Sequence, residues 1–228
     1  MANNFFTILS FFYSLMLMII YFKRKNIRSL ETRTYSKMVI TNFLNVMFAI
    51  LCYFTILYKD YLFFVNDFVS KTLLIFFITW ELFFTYYIVV IINKDDKKVS
   101  KFTDKFKFLI YFLYFLLMAI IYYLPLYYHN ENKIVYSFGP SANLIYALTA
   151  LLIVIWIILI IRNVEILKSK KCIPVILFII LTIVVVIIQK QKPGLLLITA
   201  TETFITIIMY FTIENPDMKL LKEMHEAK

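Results

Sequence analysis

Seven runs of mostly apolar residues, each fifteen to twenty-one long, leave this chain few ways to fold: Phe5 to Phe22, Met38 to Leu57, Thr72 to Ile92, Phe108 to Tyr128, Ala142 to Ile161, Pro174 to Ile188 and Leu195 to Ile213. About twenty such residues, rising ~1.5 Å each, cross a hydrocarbon layer ~30 Å thick. A helix satisfies its own backbone polar groups there. A β-barrel is excluded, because the runs are continuous rather than alternating and only two glycines are present for turns. The apolar fraction of 62% lies above the ~45–50% of soluble domains. The expected fold is therefore all-α: a polytopic membrane helix bundle of seven transmembrane helices. Six is the alternative, since the sixth run is short unless Cys172, Ile173 and Gln189 extend it. The first run follows no basic region and precedes a basic cluster, so it is expected to remain as a helix and not to be cleaved as a signal peptide.

Orientation follows from where lysine and arginine collect. The first, third and fifth connections and the C-terminal tail hold nineteen; the opposite side holds five, namely Lys59, Lys71, Lys133, Lys190 and Lys192. This places the N-terminus outside and the C-terminus in the cytoplasm, with residues 1–213 as one membrane domain and 214–228 as the start of a cytoplasmic signalling segment. The net charge of +10 then faces anionic lipid and calls for no nucleic-acid partner. Tyr58, Tyr61, Tyr127, Tyr128 and Tyr136 fall near the outer boundaries, and Tyr21, Tyr86 and Tyr87 near the inner ones, as amphipathic rings do at headgroup depth. Cys52 and Cys172 fall in a membrane run and a cytoplasmic connection, so free thiols are expected.

Two carboxylates interrupt the apolar runs. Glu81 and Glu202 have no lysine or arginine on their own runs, and an ionised carboxylate in hydrocarbon is expensive, so each is expected to be protonated, hydrated or paired. Counted from the outer ends of their runs, they lie at roughly 13 and 10 Å depth, in one layer. Thr199, Glu202, Thr206 and Tyr210 recur at three and four residues along one helix face, and Glu81 shares a face with Thr85. Asn42, Asn45, Ala49 and Cys52 form a similar stripe on the second helix, and Asn143, Tyr146 and Ala150 on the fifth. Facing one another, these stripes are either interhelical hydrogen-bonding glue, a ligand- or proton-responsive pocket, or a cation path through the bundle. The histidines, His129 and His225, have no partners at metal-ligand spacing. No nucleophile triad or phosphate loop is present, so neither metal, cofactor nor enzymatic activity is expected.

The tail adds a hinge. After Ile213, Asn215 suits a helix N-cap, Pro216 the first helical position and Asp217 the positive end of the dipole. The stretch YFTIENPDMKLLKEMHEAK, Tyr210 to Lys228, resembles the junction between the last membrane helix and the cytoplasmic helix in sensor histidine kinases of Firmicutes and Mollicutes. Weaker similarities are ETRTYSK (Glu31 to Lys37), SFGPSAN (Ser137 to Asn143) and KPGLLLIT (Lys192 to Thr199). The resemblance implies an N-terminal multispanning sensor region, homodimeric, in the bacterial cell membrane, passing a signal to a cytoplasmic kinase module. Only Ala227 and Lys228 follow His225-Glu226, so the phosphoacceptor helices and the ATP-binding domain are expected to lie outside these residues. The connections are too short for a folded ligand-binding domain. The expected cue is a small ligand, a peptide, a lipid-like molecule, a proton or membrane stress, and the alternative function is a small cation- or proton-coupled transporter or channel component.

Overall fold

A computed structural model describes residues 5–23, 29–59, 61–93, 96–131, 134–163, 172–192 and 197–214. In chain order the elements are helices α1 (Phe5–Lys23), α2 (Leu30–Leu57), α3 (Phe63–Ile92) and α4 (Asp96–Tyr123), strands β1 (Tyr127–Glu131) and β2 (Ile134–Phe138), and helices α5 (Pro140–Arg162), α6 (Ile173–Gln191) and α7 (Leu197–Met209). A π-helical turn, Tyr210–Glu214, extends α7. The first six helices each contain a stretch long and apolar enough to cross a membrane, while α7 is a shorter apolar helix. The chain is thus a helical multi-pass membrane protein, as the apolar runs predict.

The helices outrun the apolar stretches that identify them. Ser29 caps α2, its Oγ accepting from the Thr32 N–H at 3.1 Å, so Arg33 and Lys37 lie on a helix, not in a loop. Likewise α3 starts at Phe63 and α4 at Asp96, well before Thr72 and Phe108. The physical reason is that i→i−4 backbone bonding needs no apolar side chains once a helix has been nucleated by its membrane-embedded part.

At one end of the bundle the fourth run is shorter than its apolar residues suggest. The fourth helix ends at Tyr123 instead of Tyr128, because Pro125 lacks an N–H and disfavours helical geometry in the residue before it. The chain then forms an antiparallel hairpin in which Tyr127 faces Phe138, His129 faces Tyr136 and Glu131 faces Ile134. Gly139, at φ 122°, turns β2 into α5; a Cβ there would sit 2.8 Å from Tyr127 Cδ2 and 3.3 Å from the Pro125 carbonyl oxygen. Gly139→Ala is therefore expected to cost about 1–3 kcal/mol, readable as a lowered thermal unfolding midpoint in detergent.

Two aromatic clusters hold the bundle. Trp80 and Phe84 of α3, Trp156 of α5 and Phe178 of α6 meet with ring centroids 4.7 to 5.4 Å apart. Nearer the other end, Tyr21 of α1 packs edge-on against Tyr35 of α2 at 5.1 Å and against Tyr210 of the π turn at 6.3 Å. By contrast α4 lies at the periphery, with Phe108, Phe115 and Tyr123 almost wholly exposed, as suits a lipid-facing helix.

Candidate functional site

The polar stripe of α2 points into the bundle: Asn42, Asn45, Ala49 and Cys52 are all buried. The four-residue rows of α7 do the same, burying Thr199, Glu202, Thr206 and Tyr210. Where the two helices meet, Asn45 Nδ2 donates a short hydrogen bond to Glu202 Oε2, and Thr203 Oγ1 donates to Asn42 Oδ1 at 3.1 Å. A third tie is Tyr35, whose hydroxyl donates to the Thr206 carbonyl at 2.6 Å. All three run between α2 and α7.

Glu81 approaches from α3, fully buried. Its Oε2 accepts from Thr149 Oγ1 of α5 at 2.9 Å. Glu81 and Glu202 line one small cavity together with Phe77, Tyr146, Thr149, Phe178, Thr182, Ile198 and Thr201. The two carboxylates, expected in one layer at roughly 13 and 10 Å depth, line the same cavity. Among the described residues no lysine or arginine forms an ion pair with either. Each carboxyl keeps one oxygen, Oε1, without a hydrogen-bond partner.

A larger cleft adjoins this cavity toward the hairpin. Asn45, Ala49, Cys52 and Ile56 of α2, Leu73, Leu74 and Phe77 of α3, Val135 to Ser137 of β2, Ala142, Ile145 and Tyr146 of α5, Gln189 of α6 and Ile198 and Thr199 of α7 line it. Phe77, Tyr146 and Ile198 belong to both spaces. Tyr146 is thus a shared wall, and Thr199 belongs to the cleft rather than to the carboxylate cavity.

The remaining predicted residues take other places. Thr85 does not reach a carboxylate: its Oγ1 donates to the Glu81 carbonyl at 2.8 Å and accepts from Trp156 Nε1 at 2.8 Å, locking α3 to α5. Thr206 Oγ1 donates to the Glu202 carbonyl at 2.7 Å and lines neither cavity. Asn143 and Ala150 are exposed, so the stripe expected on α5 is displaced: the buried face is Ser141, Ile145, Thr149, Leu152 and Trp156. Asn215 and Pro216, the expected hinge, lie outside the described residues. Trp80, next to Glu81 in sequence, packs in the aromatic cluster and lines neither cavity.

The hairpin closes one side of the cleft and is itself anchored. Tyr128 donates its hydroxyl to Asp67 Oδ1 at 3.0 Å, Asp67 pairs with Lys71 at 2.9 Å, and Lys71 donates to the Tyr122 carbonyl at 2.9 Å. Burial, reinforced by the Asp67 carboxylate, holds the Tyr128 phenol above its ordinary range, so it stays a donor at physiological pH. Both cysteines are free, Cys52 Sγ lying 3.2 Å from Ser70 Oγ.

No family model, curated protein or solved structure matches the chain.

Proposed function

We propose that this chain is a membrane sensing region, residing in a bacterial cell membrane with its N-terminus outside and its C-terminus in the cytoplasm, that transmits a cue through α7 to a cytoplasmic histidine kinase module. The observation that carries this reading is the placement of Glu202. It sits on the helix that leads directly to the C-terminal tail, it faces Glu81 across a shared cavity, and the side chains tying its helix to α2 are a few polar bonds. Whatever occupies or recharges that cavity acts on both helices at once, and a shift of α7 is carried into the tail. The tail motif, the excess of positive charge at one side and a seventh crossing by α7 with its π turn belong to the same reading. So does a homodimer, the arrangement in which a helix displacement reaches a kinase.

The test fuses residues 1–228, in helical register, to a well-behaved cytoplasmic kinase core and compares autophosphorylation of the wild type with Glu81→Gln and Glu202→Gln. The expected result is a change of at least about threefold in output for each, because exchanging a carboxyl for an amide changes hydrogen bonds worth about 1 kcal/mol or more. Flat output from several registers in folded, active fusions would count against the sensing role. Proton or cation flux in liposomes that disappears in the same variants would instead favour a transporter.

A further inference from the structure

The buried polar atoms without partners are not distributed at random. Asn45 Oδ1, Glu81 Oε1, Glu202 Oε1, Gln189 Oε1 and Thr182 Oγ1 are all unpartnered, and each of these residues lines the carboxylate cavity or the adjoining cleft. Four are carboxyl or amide oxygens, which only accept when the carboxyls are ionised, and the fifth, the Thr182 hydroxyl, brings one hydrogen of its own. The unpartnered nitrogens, those of Asn42, Asn66 and Trp80, belong to residues that line neither space. Among these unpartnered atoms acceptors outnumber donors, so the two spaces are short of hydrogen-bond donors. An unmet buried acceptor costs about 1–3 kcal/mol, more where it is charged, so a guest that donates is selected over one that does not.

Size narrows the donor. The carboxylate cavity has a free core of about 10 Å³, which admits roughly one group the size of a water molecule. A primary ammonium is that size and carries three donors and a positive charge; a quaternary ammonium is larger and has no N–H to donate. The adjoining cleft is about ten times roomier, 110 Å³ on the same measure, and Ile56, Leu73, Leu74, Val135 and Ile145 give it apolar walls. An inorganic cation would leave this cleft unused, and a purely apolar guest would leave the oxygens unmet.

We propose that the two adjoining cavities form a site for a small amphipathic primary amine, with its ammonium between Glu81 and Glu202 and its apolar body in the cleft beneath the hairpin. This rests on the sensing role proposed above and gives the chemical class of its cue.

The chain's two tryptophans, Trp80 and Trp156, both pack on Phe178, which lines the carboxylate cavity, so their emission reports on it. The experiment titrates the full chain in phosphatidylcholine nanodiscs with butylamine, hexylamine and octylamine, with the matching alcohols, and with potassium chloride. A saturable emission change is expected for the amines alone, tightening from butyl to octyl. Glu81→Gln and Glu202→Gln weaken it at least tenfold, the lower bound for losing a hydrogen bond to a charged group, while Asn143→Ala on the exposed face leaves it unchanged. If a glutamine variant does not fold, Ala142→Leu, which narrows the cleft and keeps both carboxylates, is expected to weaken octylamine more than butylamine. Equal binding of alcohols and amines, unaltered affinity in folded glutamine variants, or a response to potassium chloride alone would each overturn the proposal. The kinase fusion needs no amine, so the two readings fail separately. A responsive fusion without amine binding removes only the ligand class; amine binding with flat fusions removes only the signalling role.

Discussion

Replacing Trp156 by alanine is expected to lower the unfolding free energy by about 3 kcal/mol, the lower end of the range for Trp→Ala in a packed core. The lower end applies because lipid, unlike water, already solvates an indole, so the loss is of packing more than of transfer. Trp156 is fully buried, its ring meets Phe84 at 5.2 Å and Phe178 at 5.3 Å, and its Nε1 donates to Thr85. Alanine removes both ring contacts and the hydrogen bond, opening a void between α3, α5 and α6 beside the carboxylate cavity. Trp156→Phe keeps most of the packing and should cost only about 0.6–1.7 kcal/mol, the worth of one interhelical hydrogen bond in a membrane protein. Equilibrium unfolding in mixed micelles separates the two. Similar losses for both variants would mean that the hydrogen bond, not the cluster, holds these helices.

Asp67→Ala is expected to cost about 3–5 kcal/mol, because it leaves a buried ammonium without its counter-charge. Lys71 is only 6% exposed, and after the change its remaining polar contact among the described residues is the Tyr122 carbonyl. The same substitution takes the acceptor from Tyr128, so the hairpin should loosen first, and limited proteolysis between Pro125 and Pro140 should accelerate before global unfolding. The double variant Asp67→Ala/Lys71→Met is expected to recover most of the stability, since an apolar pair of similar volume carries no desolvation penalty. It should not recover the protection of the hairpin. If the double variant is as unstable as the single one, the pair acts through packing and not through charge.

The membrane character of the chain was legible because it rests on run length and charge distribution, which survive any detail of packing. The carboxylate layer was legible as well: depth along a helix is set by counting residues, and Glu81 and Glu202 do line one cavity. Which side of a helix faces inward was harder to read, and α5 shows why. Its lipid face and its core face are both apolar, so the three-and-four row Asn143, Tyr146, Ala150 looked as good as the true inward row Ser141, Ile145, Thr149, Leu152, Trp156. The better signal was available, since only the second row holds two hydroxyls and a tryptophan. Thr149, the donor to Glu81, was missed for that reason. The hairpin was missed because its residues, YYHNE and IVYSF, are short, continue an apolar run and are separated by no glycine, leaving Pro125 as the sole local hint. Thr85 and Thr206 sat on the predicted faces, yet their hydroxyls turned back to backbone carbonyls four residues earlier, the usual recourse of threonine in a membrane helix.

The π turn at Tyr210–Glu214 has a geometric meaning for any segment joined to it. Such a turn carries one residue more than an α turn, and each α-helical residue advances the facing direction by about 100°. If these five residues reverted to α geometry, every side chain beyond them would swing by roughly that angle about the helix axis and shift along it by only about 1.5 Å. A bundle that keeps its outline can thus dial the face presented by whatever segment follows the turn.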